Sequence, residues 1–336
     1  MINMKKLLIF AAIAGAALVS CTKSNTIDVE GDSLIGFVPV ANKATKALVN
    51  GTALDQENDT FGSMAYYYAT ADATPTEYIA NQEISYDADD AKWETEDDYF
   101  WPKDANATLS FYSYYPYAAS SYFVYKADAA DGLTVSTYDV DANQDYDLMI
   151  ADKVTGASKT ATKTYVENGV TTKFHHILAY VKDVQVKTAD EYKTSTITLK
   201  KITLKTVLKE GTYDGAAWTA TTATADKELY NAETDLTKDY VSYFTPDYYL
   251  VLPQTLSAST QALEVVYSIT TGATTEPDQT ATIYLNADAD GNGFGLSAFE
   301  KNKAYTFQIK IGLDKIYFAP SVEGWEDAGE KEFEVK

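Results

Sequence analysis

Short runs in which apolar and polar residues take turns dominate this chain. Tyr305, Phe307, Ile309 and Ile311 alternate with Thr306, Gln308 and Lys310, the period-two pattern of a strand with one buried face. Ile197 and Leu199, then Ile202 and Leu204, flank the pair Lys200-Lys201. That shift of phase predicts a β-bulge or two short strands. Residues 263–269, 282–285, 109–115 and 122–125 predict further strands, rich in Tyr, Thr, Val and Ile and punctuated by Gly, Asn, Asp and Pro. No long amphipathic helix is predicted, and residues 296–302 allow at most a helical turn or two. The class is all-β.

A weakly hydrophobic stretch rich in Thr, Lys and Gly, from Asp152 to Thr172, is the best boundary. It separates an aromatic-rich first half from a second half of more regular strands. Several strands on each side predict two β-sandwiches in tandem, 47–165 and 166–336, rather than one large barrel. No fixed-period repeat is visible.

The N-terminus follows another pattern. Lys5 and Lys6 precede an apolar run from Leu7 to Val19, far short of the roughly 20 residues of a membrane span. Residues 1–20 therefore read as an export signal. Its end, Leu18-Val-Ser-Cys21, resembles the lipobox of bacterial lipoproteins, which predicts cleavage before Cys21 and acylation of its thiol. Several acyl chains make a firm membrane anchor. Cys21 is the only cysteine, so the chain has no internal disulfide and packing must supply its stability.

Residues 34–40, Leu-Ile-Gly-Phe-Val-Pro-Val, predict a strand, and the basic, small-residue linker Asn42-Lys-Ala-Thr-Lys-Ala47 follows. The linker is either a site for a trypsin-like protease or an ordinary loop left intact. At the other end, in Lys331-Glu-Phe-Glu-Val-Lys336, Phe333 and Val335 share one face and the charged residues share the other. Such a strand either pairs within its own domain or enters a groove in another molecule.

Composition narrows the chemistry. A net charge of −22, with lysine but no arginine, repels phosphate backbones and excludes nucleic acid as a partner. A hydrophobic fraction of 46% with 13% aromatics can fill real cores. His175 and His176 are the only histidines. Adjacent on a strand, they point to opposite faces and make a poor metal site. Asn286-Ala-Asp-Ala-Asp-Gly-Asn-Gly293 resembles part of a calcium loop, but the twelfth position falls on Ser297 or Phe299, with Glu300 one residue late. No serine elbow, phosphate-cradling glycine loop or singled-out carboxylate pair appears. The expectation is a non-enzyme without cofactor or metal. The clusters Tyr66-Tyr67-Tyr68 and Tyr112 to Tyr117 read either as strands with one face in the core or as stacking platforms for glycans.

A series of short motifs carries a wider resemblance. After the lipobox, the Ile35-Gly-Phe37 strand and the 44–47 linker come Phe100-Trp-Pro102, Leu109 to Pro116, Asp147-Leu-Met149, Phe174-His-His-Ile-Leu178 and Val322-Glu-Gly-Trp325. Their order and spacing resemble the fimbrillin family, the structural subunits of type V pili. The resemblance implies two transthyretin-like sandwiches and an outer-membrane lipoprotein precursor anchored by lipid. It implies that a trypsin-like protease removes residues 21–46, cutting between Lys46 and Ala47 and taking away the strand that carries Ile35 and Phe37. Lys43 is a competing site. A strand carrying Phe333 and Val335, hinged near Trp325, would then fill the groove of another copy or related subunit. The result would be an adhesive fimbria on the cell surface. Some family members are cut after arginine, which this chain lacks, so its protease must accept lysine. The alternative is a permanently anchored surface lipoprotein, either a fibre anchor or a glycan-binding module.

Overall fold

The computed structural model describes residue 27 and residues 29–41, 54–127, 129–130, 132–159, 169–189, 194–287, 292–313 and 316–324. Almost all of its regular structure is β. The first sheet has eight strands, in the spatial order Met149–Ala151, Val170–His176, Phe37–Ala41, Lys92–Thr95, Thr76–Asp87, Phe61–Tyr68, Thr108–Tyr115 and Val154–Ala157. Strand 149–151 also pairs with strand 108–115, so the hydrogen-bonded path returns on itself. Its walls face one another across a core that includes Phe37, Phe61, Trp93, Trp101, Phe111 and Phe174.

The second half is a sandwich of two sheets. One contains Ala179–Thr188, Lys303–Ile311 and Ile316–Gly324, and the other contains Thr224–Asp235, Ser195–Leu208 and Ala262–Thr271. Their inner faces meet in a single core, mostly aliphatic, that includes Val184, Leu199, Ile202, Leu263, Phe307 and Ile309. The alternation along 303–311 behaves as its pattern predicts. Tyr305, Phe307, Ile309 and Ile311 are buried, while Thr306, Gln308 and Lys310 are less so. The phase shift at Lys200-Lys201 is a bulge, since strand 195–208 loses register with both neighbours between Leu199 and Lys201.

Two expectations meet a different arrangement. Residues 296–302 form no helical turn. Leu296 N–H donates to Leu285 O and Ala298–Phe299 pairs with Gln254–Thr255, so the first part of the segment is held extended by neighbours and only Lys301 and Asn302 form a turn. Strand 170–176, beyond the boundary read near residue 165, pairs with strands 37–41 and 149–151 of the first sheet. A four-stranded sheet also crosses between the halves, pairing Leu133–Asp139 with Glu210–Tyr213. A third core, with Tyr114, Tyr138, Tyr180, Tyr213 and Leu250, fills that junction.

The loop from 139 to 147 clasps the junction. Asp139 Oδ2 lies 2.6 Å from Lys209 Nζ, and Tyr249 OH donates to Asp141 Oδ1 at 2.9 Å. Gln144 Nε2 donates to Leu250 O at 2.9 Å while its Oε1 accepts from Leu250 N–H at 2.7 Å. Among the described residues no helix is long and apolar enough to cross a membrane.

Candidate functional site

Strand 37–41 occupies an unusual place for a strand so near the start of the chain. It lies between strands 170–176 and 92–95, which do not pair with each other. Against 170–176 it runs parallel over five pairs, from Phe37↔Val170 to Ala41↔Phe174. Against 92–95 it makes one antiparallel pair, Phe37↔Trp93. Before it, Val29–Leu34 pairs with Phe100–Pro102, and Ile35 N–H donates to Tyr99 O at 2.8 Å. The chain then crosses at Gly36, whose carbonyl accepts from Val170 N–H at 2.7 Å.

Side chains alternate as the pleat requires. Ile35, Phe37, Pro39 and Ala41 point into the core, while Val38 on the outer face is 38% exposed. Phe37 is 3% exposed and meets the rings of Phe61 and Phe111 edge-on, with centroids 5.8 and 5.9 Å away. Phe61 in turn contacts Phe174 and Trp93, so Phe37 plugs an aromatic cluster drawn from both walls of the gap. Burial of a side chain of this size is worth roughly 1.5–3 kcal/mol.

The hydrogen bonding is weaker than the packing. Pro39 has no N–H to give to a ladder, and proline is normally confined to sheet edges. Here it sits between two strands, opposite Thr172. The strand is thus fastened by side chains on its inner face and by one ladder, with a single pair on its other side. Gly169 makes the close approach to 170–176 feasible. Its φ is +89°, and a Cβ there would stand 2.9 Å from Gly36 O.

Of the residues singled out from sequence, the structure brings Ile35 and Phe37 together in this core. Cys21, Lys46, Ala47, Trp325, Phe333 and Val335 lie outside the described residues. The two histidines do face opposite ways. His176 is buried with Nδ1 2.9 Å from Asp147 Oδ1, and His175 lies at the surface with Nε2 3.0 Å from Asp152 Oδ1. In the acidic stretch at 286–293, residues 288–291 lie outside the described residues. Asp87, Asp90 and Glu94 bring ligand atoms within 4.8 Å of one another, but Asp87 Oδ1 already accepts from the N–H groups of Asp89 and Asp90.

The tyrosine clusters are chiefly packing elements. Tyr66 stacks on Tyr125 at 3.9 Å and Tyr114 stacks on Phe123 at 4.2 Å. Burial raises the Tyr112, Tyr114 and Tyr115 hydroxyls well above the ordinary tyrosine range. Burial likewise pushes Tyr305 up to about 12, so these phenols stay neutral hydrogen-bonding groups. Sequence reasoning missed Pro39, Gly169 and the 139–147 clasp as functional or structural points. Pro39 within an otherwise strand-like run was the one available signal.

Comparison with known proteins bears on the fold and the family. No curated protein sequence matches the chain. A fimbrial protein from Bacteroides vulgatus has the same fold, with a TM-score of 0.61 at 19% identity, over 87% of this chain and 99% of that one. A candidate cell adhesion protein from Bacteroides uniformis matches at 20% identity with a TM-score of 0.49, over 88% of this chain and 99% of that one. The fimbrillin-like family model matches residues 45–325, most of the chain, and the protein belongs to the fimbrillin-like family.

Proposed function

We propose that this chain is a structural subunit of a surface fimbria that polymerises by exchanging strand 37–41 for a strand of a neighbouring copy. In this reading Cys21 carries the lipid that takes the precursor to the outer membrane. A lysine-tolerant trypsin-like protease then cuts between Lys46 and Ala47. The strand carrying Phe333 and Val335 enters the opened groove, and its alternating face suits pockets spaced two residues apart. The observation that carries the reading is the position of strand 37–41. It alone stands between 170–176 and 92–95 among the described residues, so its removal would leave both facing edges unpaired and an aromatic cavity between them. Proteins avoid exposing such edges. A head-to-tail contact that does not close gives a fibre rather than a ring.

N-terminal sequencing of the surface-exposed protein, with denaturant-free electrophoresis of its polymers, tests this. The expected result is a chain beginning at Ala47, a ladder of polymers, and loss of that ladder on deleting residues 329–336. Protein still joined to Cys21 in assembled fibres, or an unimpaired ladder from the deletion variant, would sink the reading. An uncut chain that stays on the membrane would favour the permanently anchored alternative.

A further inference from the structure

At the junction of the two halves lies a pocket of about 290 Å3 with walls from both. Ile150, Ile177 and Tyr213 form its buried floor. Asp152 and His175 come from the first sheet, and Lys301 and Asn302 come from the turn before strand 303–311. His175 lies on strand 170–176, past the residues that pair with strand 37–41, and none of the others belongs to a strand that pairs with 37–41.

The polar groups present both kinds of hydrogen-bonding capacity. Asp152 Oδ1 engages His175 Nε2 at 3.0 Å, and a carboxylate keeps a second acceptor oxygen. Lys301 Nζ donates to Tyr213 OH and to Ala216 O, each at 3.0 Å, and an ammonium has a third N–H to give. Asn302 Oδ1 is buried without a protein partner, an unfavourable state unless something donates to it. Asn302 is held there by a φ of +61° and by its own N–H donating to Leu178 O at 2.8 Å. One carboxylate and one ammonium in its lining leave the pocket close to neutral, in a chain whose net charge is −22.

A neutral ligand that both donates and accepts from adjacent atoms meets this set better than an ion does. Adjacent hydroxyls on a saturated ring have that property. A volume at the low end of small-molecule sites admits one ring, and the exposed positions of Asp152 and Lys301 leave a way in. We infer that the junction pocket binds a single neutral pyranose residue of a glycan, with Asp152 and Asn302 accepting from its hydroxyls and Lys301 donating to one. Such a ligand touches both halves at once, so occupancy fastens them together. The inference goes beyond fibre assembly and does not depend on strand exchange.

The purified, uncleaved protein is titrated with the methyl glycosides of galactose, mannose and N-acetylglucosamine, followed by saturation-transfer NMR. At least one is expected to bind saturably. Asp152→Ala, at an exposed position, and Asn302→Gly, which keeps the positive φ, should each weaken it by about tenfold, the scale of one lost hydrogen bond to a charged or buried group. The urea midpoint of D152A should stay at the parental value. Absence of saturable binding by all three sugars would overturn the inference. So would affinity unchanged in both variants, or equal competition by the glycine zwitterion.

Discussion

Gln144 shows how much of this molecule's cohesion passes through single side chains. Its amide closes two hydrogen bonds on the backbone of Leu250, across a sequence separation of 106 residues. Gln144→Ala should leave a partly buried N–H and C=O unpaired and cost about 1–3 kcal/mol, read as a lower urea midpoint with no change of slope. Asp139, nearby, predicts a pH dependence. Burial alone would raise its carboxyl, but the hydrogen bond from Lys209 and the N–H of Ala142 outweigh it and hold it below its ordinary value of 3.8. A folded-state value below the unfolded one stabilises the fold above the unfolded value, and that stabilisation is lost as the pH falls through the folded value. The difference in urea midpoint between the parent and Asp139→Asn should therefore be present at pH 6 and should shrink as the pH drops below about 3.8. A gap that persists at pH 2 would assign the effect to packing.

At the scale of the element, strand 37–41 is held chiefly by its inner face, so its inner residues are where it can be loosened. Phe37→Ala should weaken its docking by roughly 3–5 kcal/mol, the usual cost of emptying a phenylalanine site. Faster amide hydrogen exchange along 170–174 and 92–95, with the rest of the sheet unaffected, would report it. Gly169→Ala should act on the same strand through the backbone, because the added methyl meets Gly36 in a conformation disfavoured for alanine. Much of this element was legible in sequence. Residues 34–40 predict a strand, and strand 37–41 falls at its end. Its neighbours were not legible, because parallel pairing with a strand more than 130 positions later leaves no local trace. Likewise, strand 170–176 reads equally well as the start of the second half. Its pairing with 37–41 and 149–151, and the aromatic cluster that Phe174 shares with Phe61 and Phe37, place it with the first. The 139–147 loop carries no local pattern that marks it as a clasp, because the partners of Asp139, Asp141 and Asp147 are Lys209, Tyr249 and His176, all distant in sequence.

For the whole molecule, the fibre reading predicts that a chain starting at Ala47 and lacking residues 329–336 is an acceptor with no donor. A synthetic peptide covering residues 33–42 should bind it saturably and raise its melting temperature, and a peptide with Phe37 replaced by alanine should do so far less. An intact chain should ignore both peptides. The return of the first sheet upon itself then bears on how the groove behaves as a mechanical object. With strand 37–41 withdrawn, the 92–95 side would remain backed by the long strand 76–87. The 170–176 side would remain backed by 149–151, a ladder prolonged by Asp152 N–H donating to Lys173 O and by Ile177 N–H donating to Leu148 O, and 149–151 is itself paired with 108–115. Both sides would therefore keep a hydrogen-bonded backing and stay joined to each other around the far side of the sheet. An arriving strand would enter a slot whose edges are already set in place, so in the fibre reading the acceptor would need little rearrangement to receive it.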